Sequence, residues 1–127
     1  MATKQYRGYR VYAYIALARL FHALDLDVHQ PDLLQRVGER IDLTSDRVTK
    51  EEILHAIRSN SHMTDKVLEY LVEEGLATVR RDDHGYDIRI TVSGVDHYRR
   101  YHALYQDLYA RELAQHYRYT GTPGWLR

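Results

Sequence analysis

The clearest pattern of apolar and polar positions lies in residues 61–94, where it predicts one helix followed by a β-hairpin. From residue 61 to residue 74, apolar side chains recur every three or four positions, and charged side chains fall on the opposite face. Ser61 is expected to cap the amino end of this helix, and Gly75 is expected to end it. The apolar face consists of Val67, Leu68, Leu71 and Val72, and the polar face of His62, Asp65, Lys66, Glu69 and Glu73.

The residues that follow alternate with a period of two, which is typical of strands that bury one face. Residues 76–80 form the first predicted strand and residues 86–92 the second, with Asp82 to Gly85 as the turn. The inward positions are Ala77, Val79, Tyr86, Ile88, Ile90 and Val92. A short helix followed by a basic hairpin can place that helix in the major groove of DNA when another helix precedes it.

Three helices are predicted before this segment. Residues 6–26 combine strong helix formers with a broad apolar surface, and Pro31 favours the start of a second helix over residues 31–40. The third helix, over residues 50–58, opens with a capping box in which Thr49 is followed three positions later by a glutamate. The short polar turn that follows completes the order helix, turn, helix.

A last helix is predicted over residues 94–117, with Ser93 as its N-cap. Ten of the twelve tyrosines lie in residues 6–14 and 98–119, and tyrosine is enriched on surfaces that are buried but keep a polar tip. We therefore expect a homodimer built from the first and last helices, although the same stripe could instead be core. The expected interface residues are Tyr12, Ile15, Tyr98, Tyr101, Tyr105, Leu108 and Tyr109.

Composition narrows the class of protein. The chain has 127 residues, which is room for one domain, and it has no apolar run of the length that a membrane span requires. The first ten residues lack the apolar segment of a secretory signal, so a cytoplasmic location is expected. Without cysteine there is no disulfide framework, thiolate nucleophile or zinc finger. The formal net charge is zero, so any affinity for nucleic acid must come from local patches.

No catalytic or metal-binding pattern is visible in the sequence. The eight histidines lack carboxylate partners at ligand spacing, as the pair His97 and His102 illustrates. There is no glycine-rich phosphate loop, nucleophile elbow or spaced carboxylate pair, so we expect neither an enzyme nor a resident cofactor.

The segment YLVEEGLATVRRDDHGYDIRITVSG resembles the helix and wing of winged helix-turn-helix transcription regulators of the PadR and MarR kind. In those families a leucine-rich recognition helix ends in a Glu-Gly-Leu-like step, and a charged wing leads to a Leu-Thr-x-x-Gly-like strand exit. The matching residues here are Leu71, Glu74, Gly75, Leu76, Ile90, Thr91 and Gly94. The additional helix over residues 31–40 and the tyrosine-rich and arginine-rich composition are also similar to haloarchaeal regulators of oxidative stress.

This resemblance implies a fold that is mainly α with a small β-hairpin, in one winged-helix domain over residues 1–127. The helix-turn-helix would span residues 49–75 and the wing residues 76–92, with the long terminal helices used for dimerisation. It also implies a homodimer that binds double-stranded DNA, with each recognition helix in a major groove and each wing at the flanking backbone or minor groove.

Candidate DNA-binding residues follow from position and side-chain chemistry. The first turns of a helix present free backbone N–H groups to phosphates, and arginine can read the shape of a narrow minor groove. The candidates are Ser59, Asn60, Ser61, His62, Thr64, Lys66, Arg80, Arg81, His84 and Arg89. Two alternatives stay open, namely that the hairpin arginines only form cross-strand charge pairs, and that the winged helix binds a protein instead of DNA.

Overall fold

The chain folds into five helices and one antiparallel β-hairpin over the residues that the structure describes, and it is mainly helical as predicted. The structure is a computed structural model that describes residues 3–40, 48–57, 59–83 and 85–108, with the side chains of 3–11, 40, 105, 106 and 108 outside the description. The elements are α1 (Thr3–His22), α2 (Leu33–Arg40), α3 (Lys50–Ile57), α4 (Ser61–Glu73), β1 (Ala77–Asp82), β2 (Gly85–Ile90) and α5 (Val92–Leu108).

The first helix is the centre of the core. Residues 13–18 of α1 are all at most 3% exposed, so this part of the helix is covered on every side. Helices α3, α4 and α5 and strand β2 all contact it. The prediction that Ile15 faces a second copy of the chain is therefore wrong, because its side chain is fully buried within one chain.

Aromatic packing joins α1 to α5. Tyr98 is 2% exposed and its ring stacks on Tyr14 at a centroid distance of 5.3 Å and lies 5.1 Å from Phe21. Tyr98 was also expected at a dimer interface, and this prediction is wrong for the same reason as for Ile15. Part of the tyrosine stripe is core, as the alternative interpretation allowed.

The hairpin has the predicted buried face except at Val92, which is 44% exposed and begins α5, so this part of the prediction is wrong. It also has one feature that the sequence did not indicate. Ala77 pairs with Ile90, and both side chains are buried together with Ile88. The backbone N–H of Ile88 also donates to the carbonyl of Val48 at 3.0 Å, so a residue two positions before α3 forms a bridge to β2. This bridge fixes the start of α3 against the hairpin.

The helix ends differ from prediction by a few residues. Helix α1 ends at His22 because two turn hydrogen bonds follow it and Asp25 takes a positive φ of 54°. Helix α5 begins at Val92 and not at residue 94, since Thr91 and not Ser93 is the cap: its Oγ1 accepts from the N–H of Gly94 at 2.9 Å.

The carboxyl end of α4 is closed by a Schellman motif, as the glycine at that position predicts. Gly75 has a φ of 73°, its N–H donates to Val72, and the N–H of Leu76 donates to Leu71 at 2.8 Å. This turn carries the chain from α4 directly into β1. Among the described residues, no helix is long and apolar enough to cross a membrane.

Candidate nucleic-acid interface

Helices α3 and α4 follow each other with only three residues between them, and side chains cap both amino ends. The Oγ1 of Thr49 accepts from the N–H of Glu52 at 3.2 Å, which confirms this half of the predicted capping box. At α4 the cap is Asn60, whose Oδ1 accepts from the N–H of Met63 at 2.8 Å. The prediction of Ser61 as the cap is therefore wrong by one residue, because Ser61 is already helical.

The first turns of α4 present some of the predicted side chains to solvent and hide one. Asn60, Ser61 and His62 are exposed, and Ser59 is half-buried. Thr64 has no exposed surface, and its hydroxyl donates to the carbonyl of Asn60 at 2.8 Å. The prediction that Thr64 contacts DNA is therefore wrong.

Lys66 lies on the exposed face of α4, one turn further on. Its Nζ is 3.7 Å from a carboxylate oxygen of Glu69, an exposed pair at helical spacing. Lys66 therefore forms a charge pair along the helix.

Lys50, which sequence reasoning did not select, connects three elements. Its Nζ donates to the Oγ of Ser61 at 2.7 Å, lies 2.8 Å from a carboxylate oxygen of Asp65, and is 5.4 Å from the ring centroid of Tyr86. Its side chain is largely buried, so α3, α4 and β2 meet around it. Its partners come from α4 and β2, so no local sequence pattern marks it.

The hairpin places its arginines on two different faces. Strand alternation and the pairing of Arg80 with Asp87 put Arg80, Asp87 and Arg89 on the face away from the buried residues. The Nε of Arg89 donates to Asp87 at 3.1 Å, so this arginine has a carboxylate partner within its own strand. Arg80 is exposed.

Arg81 lies on the other face of the hairpin, toward α4. Its guanidinium carbon is 4.9 Å from the ring centroid of Tyr86, the residue opposite it in the register. A cation held over an aromatic ring is attracted by the ring quadrupole. His84, also predicted to contact DNA, lies outside the described residues.

A groove of about 540 Å³ separates α4 from the hairpin. Three acidic residues of α4 follow one another at four-residue spacing along it, with apolar side chains beneath them. The lining residues are Asp65, Leu68, Glu69, Val72, Glu73, Val79, Arg81 and Tyr86. Asp65, Glu69 and Glu73 form an acidic stripe on α4. The helix therefore carries negative charge along this stripe and positive charge on a neighbouring part of its surface.

The remaining expected interface residues lie at the far end of α5 and on α1. Tyr101 is 41% exposed, whereas Tyr12 is half-buried; Leu104, which was not among the expected interface residues, is 54% exposed. The side chains of Tyr105 and Leu108, and all of Tyr109, lie outside the description. Two of the four large apolar side chains exposed in the described part of the chain are therefore on this stretch of α5.

A polar contact inside the core connects α1 to α5 behind this surface. The hydroxyl oxygen of Tyr14 is 2.8 Å from Nδ1 of His102 and 3.3 Å from the carbonyl oxygen of the same residue. Burial, and then the neighbouring Tyr98, raises the pKa of the Tyr14 phenol far above its usual range. A phenol held protonated in this way has a structural role in positioning α5.

Comparison of the chain with models of known protein families, with curated proteins and with solved structures finds no match.

Proposed function

We propose that this protein is a winged helix-turn-helix transcription regulator that binds double-stranded DNA as a homodimer. In this proposal α3 and α4 form the helix-turn-helix, α4 enters the major groove, and the hairpin is the wing at the flanking backbone or minor groove. The stress-response role implied by the resemblance belongs to the same proposal, and no catalytic step is part of it.

The observation that carries the proposal is the juxtaposition of an exposed helix amino end with an arginine-bearing hairpin. Asn60, Ser61 and His62 are exposed at the start of α4, where backbone N–H groups and the helix dipole favour phosphate. Lys50 and the Val48 bridge attach this start to β2, so the helix and the hairpin are held as one unit. A rigid spacing between two DNA-contacting elements is what a fixed groove geometry requires.

The charge distribution limits which part of α4 can meet DNA. Asp65 is neutralised by Lys50, but Glu69 and Glu73 continue the acidic stripe toward the carboxyl end of the helix. Phosphate oxygens are repelled by that stripe. The contact therefore belongs to the amino end of α4 and the outer face of the hairpin, with few phosphates engaged.

The same stripe is the specific observation that favours the second candidate, a winged-helix module that binds a protein. An acidic helix face beside exposed Val72 is suited to a basic and apolar protein surface. Binding to duplex DNA distinguishes the two functions, because only the first one requires it.

The experiment is retention of the full chain on nonspecific duplex DNA across a salt series. Phosphate contacts release counterions, so the logarithm of the association constant should fall linearly with the logarithm of the salt concentration. Replacing Arg80, on the outer face of the hairpin, by alanine should weaken binding and lower the slope by about one for the lost phosphate contact.

The matched control is Arg36→Ala, which removes an exposed arginine of α2 that is paired with Asp32 at 3.0 Å. It should leave both affinity and slope unchanged. Absence of binding by the unmodified chain at low salt would reject the DNA-binding proposal and leave the protein-binding candidate. Equal losses for Arg36→Ala and Arg80→Ala would reject the assignment of the hairpin as the wing.

A further inference from the structure

Lys50 is largely enclosed although it lies beside the proposed DNA contact. Only 12% of its side chain is exposed, whereas lysine usually keeps its ammonium group in water. Its Nζ donates to the Oγ of Ser61 at 2.7 Å, lies 2.8 Å from a carboxylate oxygen of Asp65, and is 5.4 Å from the ring centroid of Tyr86. Two acceptors and an aromatic ring therefore surround the ammonium group, and little of it is left for a DNA phosphate.

The hydrogen bond from Lys50 fixes the role of the Ser61 hydroxyl. An ammonium group carries donors only, so the Oγ of Ser61 is the acceptor and its own proton points elsewhere. Ser61 is exposed, and its hydroxyl donates to no acceptor among the residues that the structure describes. This proton is therefore directed to an acceptor outside the chain, and the phosphate oxygens of DNA are such acceptors.

Asp65 is the acidic residue of α4 nearest to its amino end, one helical turn after Ser61. Its side chain is 45% exposed, so an unpaired charge there would cost the fold little but would repel a phosphate at the start of the helix. The ammonium group of Lys50 offsets this charge. Lys50 therefore acts on two neighbouring groups at the amino end of α4, one polar and one acidic.

We propose that Lys50 is a positioning residue for the DNA contact: it directs the Ser61 hydroxyl toward DNA as a donor and cancels the charge of Asp65, without binding phosphate itself. The inference rests on the proposed function and adds to it a residue behind the surface that faces DNA. Through its contact with Tyr86, the same lysine keeps both groups in a fixed relation to the hairpin.

The test repeats the DNA-retention salt series with the full chain and two variants. Lys50→Met keeps an unbranched side chain but leaves Asp65 unpaired, and it should lower the association constant about fivefold, the size of one screened charge contact. The salt slope should stay unchanged, because no phosphate contact is lost. The double variant Lys50→Met/Asp65→Asn removes the carboxylate together with its partner. It should restore binding to within about twofold of the unmodified chain.

Ser61→Ala tests the orienting role of Lys50. Loss of the hydroxyl should weaken DNA binding about threefold in the unmodified chain, and less in the double variant, where no ammonium group fixes its direction. Arg36→Met is the matched control for Lys50→Met, because it also removes one positive charge from an ion pair with an aspartate, Asp32, at α2. It should leave DNA binding unchanged.

Three outcomes would overturn this inference and leave the proposed function standing. They are unchanged binding by Lys50→Met, no recovery of affinity in the double variant, and an equal loss from Ser61→Ala with and without Lys50. Should Lys50→Met fail to fold, the double variant decides, because a lysine that bound phosphate would leave both affinity and slope lowered there. If the unmodified chain does not bind duplex DNA, the proposed function and this inference fail together.

Discussion

At the scale of single residues, two neighbouring polar side chains at the start of α4 could each be the N-cap of the helix. Both Asn60 and Ser61 are residue types that cap helices. Asn60 is the cap because its backbone is extended, with φ −95° and ψ 173°, and its Oδ1 reaches the N–H of Met63. Ser61 is one position too late, and its hydroxyl accepts from Lys50.

This assignment predicts unequal effects of two adjacent alanine substitutions. Asn60→Ala should lower the free energy of unfolding by about 1 kcal/mol, because the N–H of Met63 loses its partner. Ser61→Ala should cost less, since the contact it removes is exposed and Lys50 keeps its ion pair with Asp65. Equilibrium denaturation in urea measures both, and a larger loss for Ser61→Ala would contradict the capping assignment.

His97 predicts a pH dependence of stability. Desolvation lowers its pKa below the usual 6.5, and Arg100 acts in the same direction, whereas the charges of Glu74 and Asp96 oppose the shift. The unfolded chain therefore binds a proton on this side chain more readily than the folded chain, and protonation favours unfolding. This loss of stability is absent at pH values above the usual histidine pKa, and it develops as the pH falls through that value.

The variant His97→Gln should accordingly lose less stability than the unmodified chain on going from about pH 7.5 to about pH 5.5. Thermal unfolding at the two pH values measures the difference. If both proteins lose stability equally over this interval, the half-buried ring of His97 does not titrate as its surroundings indicate.

At the scale of elements, the contact between the hairpin and α5 depends on a glycine in the first turn of α5. A Cβ on Gly94 would lie 2.1 Å from the carbonyl oxygen of Leu76 and 2.7 Å from the side chain of Ile90. Leu76 cannot give way easily, because its carbonyl accepts from the N–H of Thr91 at 3.0 Å and its side chain is buried. The close approach of α5 to the chain between α4 and β1 therefore requires glycine.

Gly94→Ala should lower the free energy of unfolding by about 1 to 3 kcal/mol, as overpacking of a tight contact does. Gly38→Ala is the matched control within a helix, because nothing lies within 4 Å of the Cβ that it adds on α2. It should stabilise the protein by about 0.5 to 1 kcal/mol through the lower entropy of the unfolded chain. Comparable losses in the two variants, measured by urea denaturation, would contradict the close packing at Gly94.

Most elements could be predicted because their signals are local. The period of apolar residues identifies α4, the alternation of residues 76–92 identifies the hairpin, and Gly75 marks the end of α4. The bridge from Val48 to Ile88 could not be predicted, because it joins residues forty positions apart and leaves no periodic pattern. The same holds for Lys50, whose partners come from α4 and β2.

The candidate site was harder to predict than the elements that form it. A sequence shows that Thr64 stands in the first turns of α4, but only the fold shows that this position faces the core. Likewise, an aromatic helix can be buried against its own chain or against another one, and the pattern of tyrosines does not separate the two cases. Tyr14 and Tyr98 are core, whereas Tyr101 is not.

At the scale of the whole molecule, a net charge of zero is compatible with DNA binding only if the charges are segregated. Such segregation is present on α4, whose amino end carries no acidic residue in its first turn and whose later turns form the acidic stripe. The proposed DNA contact therefore uses the amino end of α4, and the acidic stripe lies beside it on the same helix.

The proposed dimer belongs to this scale as well, and the residues buried within one chain are excluded from its interface. With Ile15 and Tyr98 in the core, the exposed apolar surface of α5 within the described residues is the stretch around Tyr101 and Leu104, which lie three positions apart on one helix face. Burial of exposed apolar side chains such as these against a second copy of the chain contributes favourable free energy to association. Replacing both by glutamate should lower the mass measured by light scattering to that of one chain.

The matched control for this prediction is Val92→Glu, which adds a carboxylate at an exposed valine on the opposite end of the same helix. It should leave the mass of the unmodified protein unchanged. Since Tyr101 and Leu104 are exposed, their replacement should preserve the helical circular dichroism spectrum, so a change in mass reports association and not unfolding. If the doubly substituted chain keeps the mass of a dimer, the second copy binds elsewhere on the domain, and each winged helix would then be held at a different spacing along the DNA.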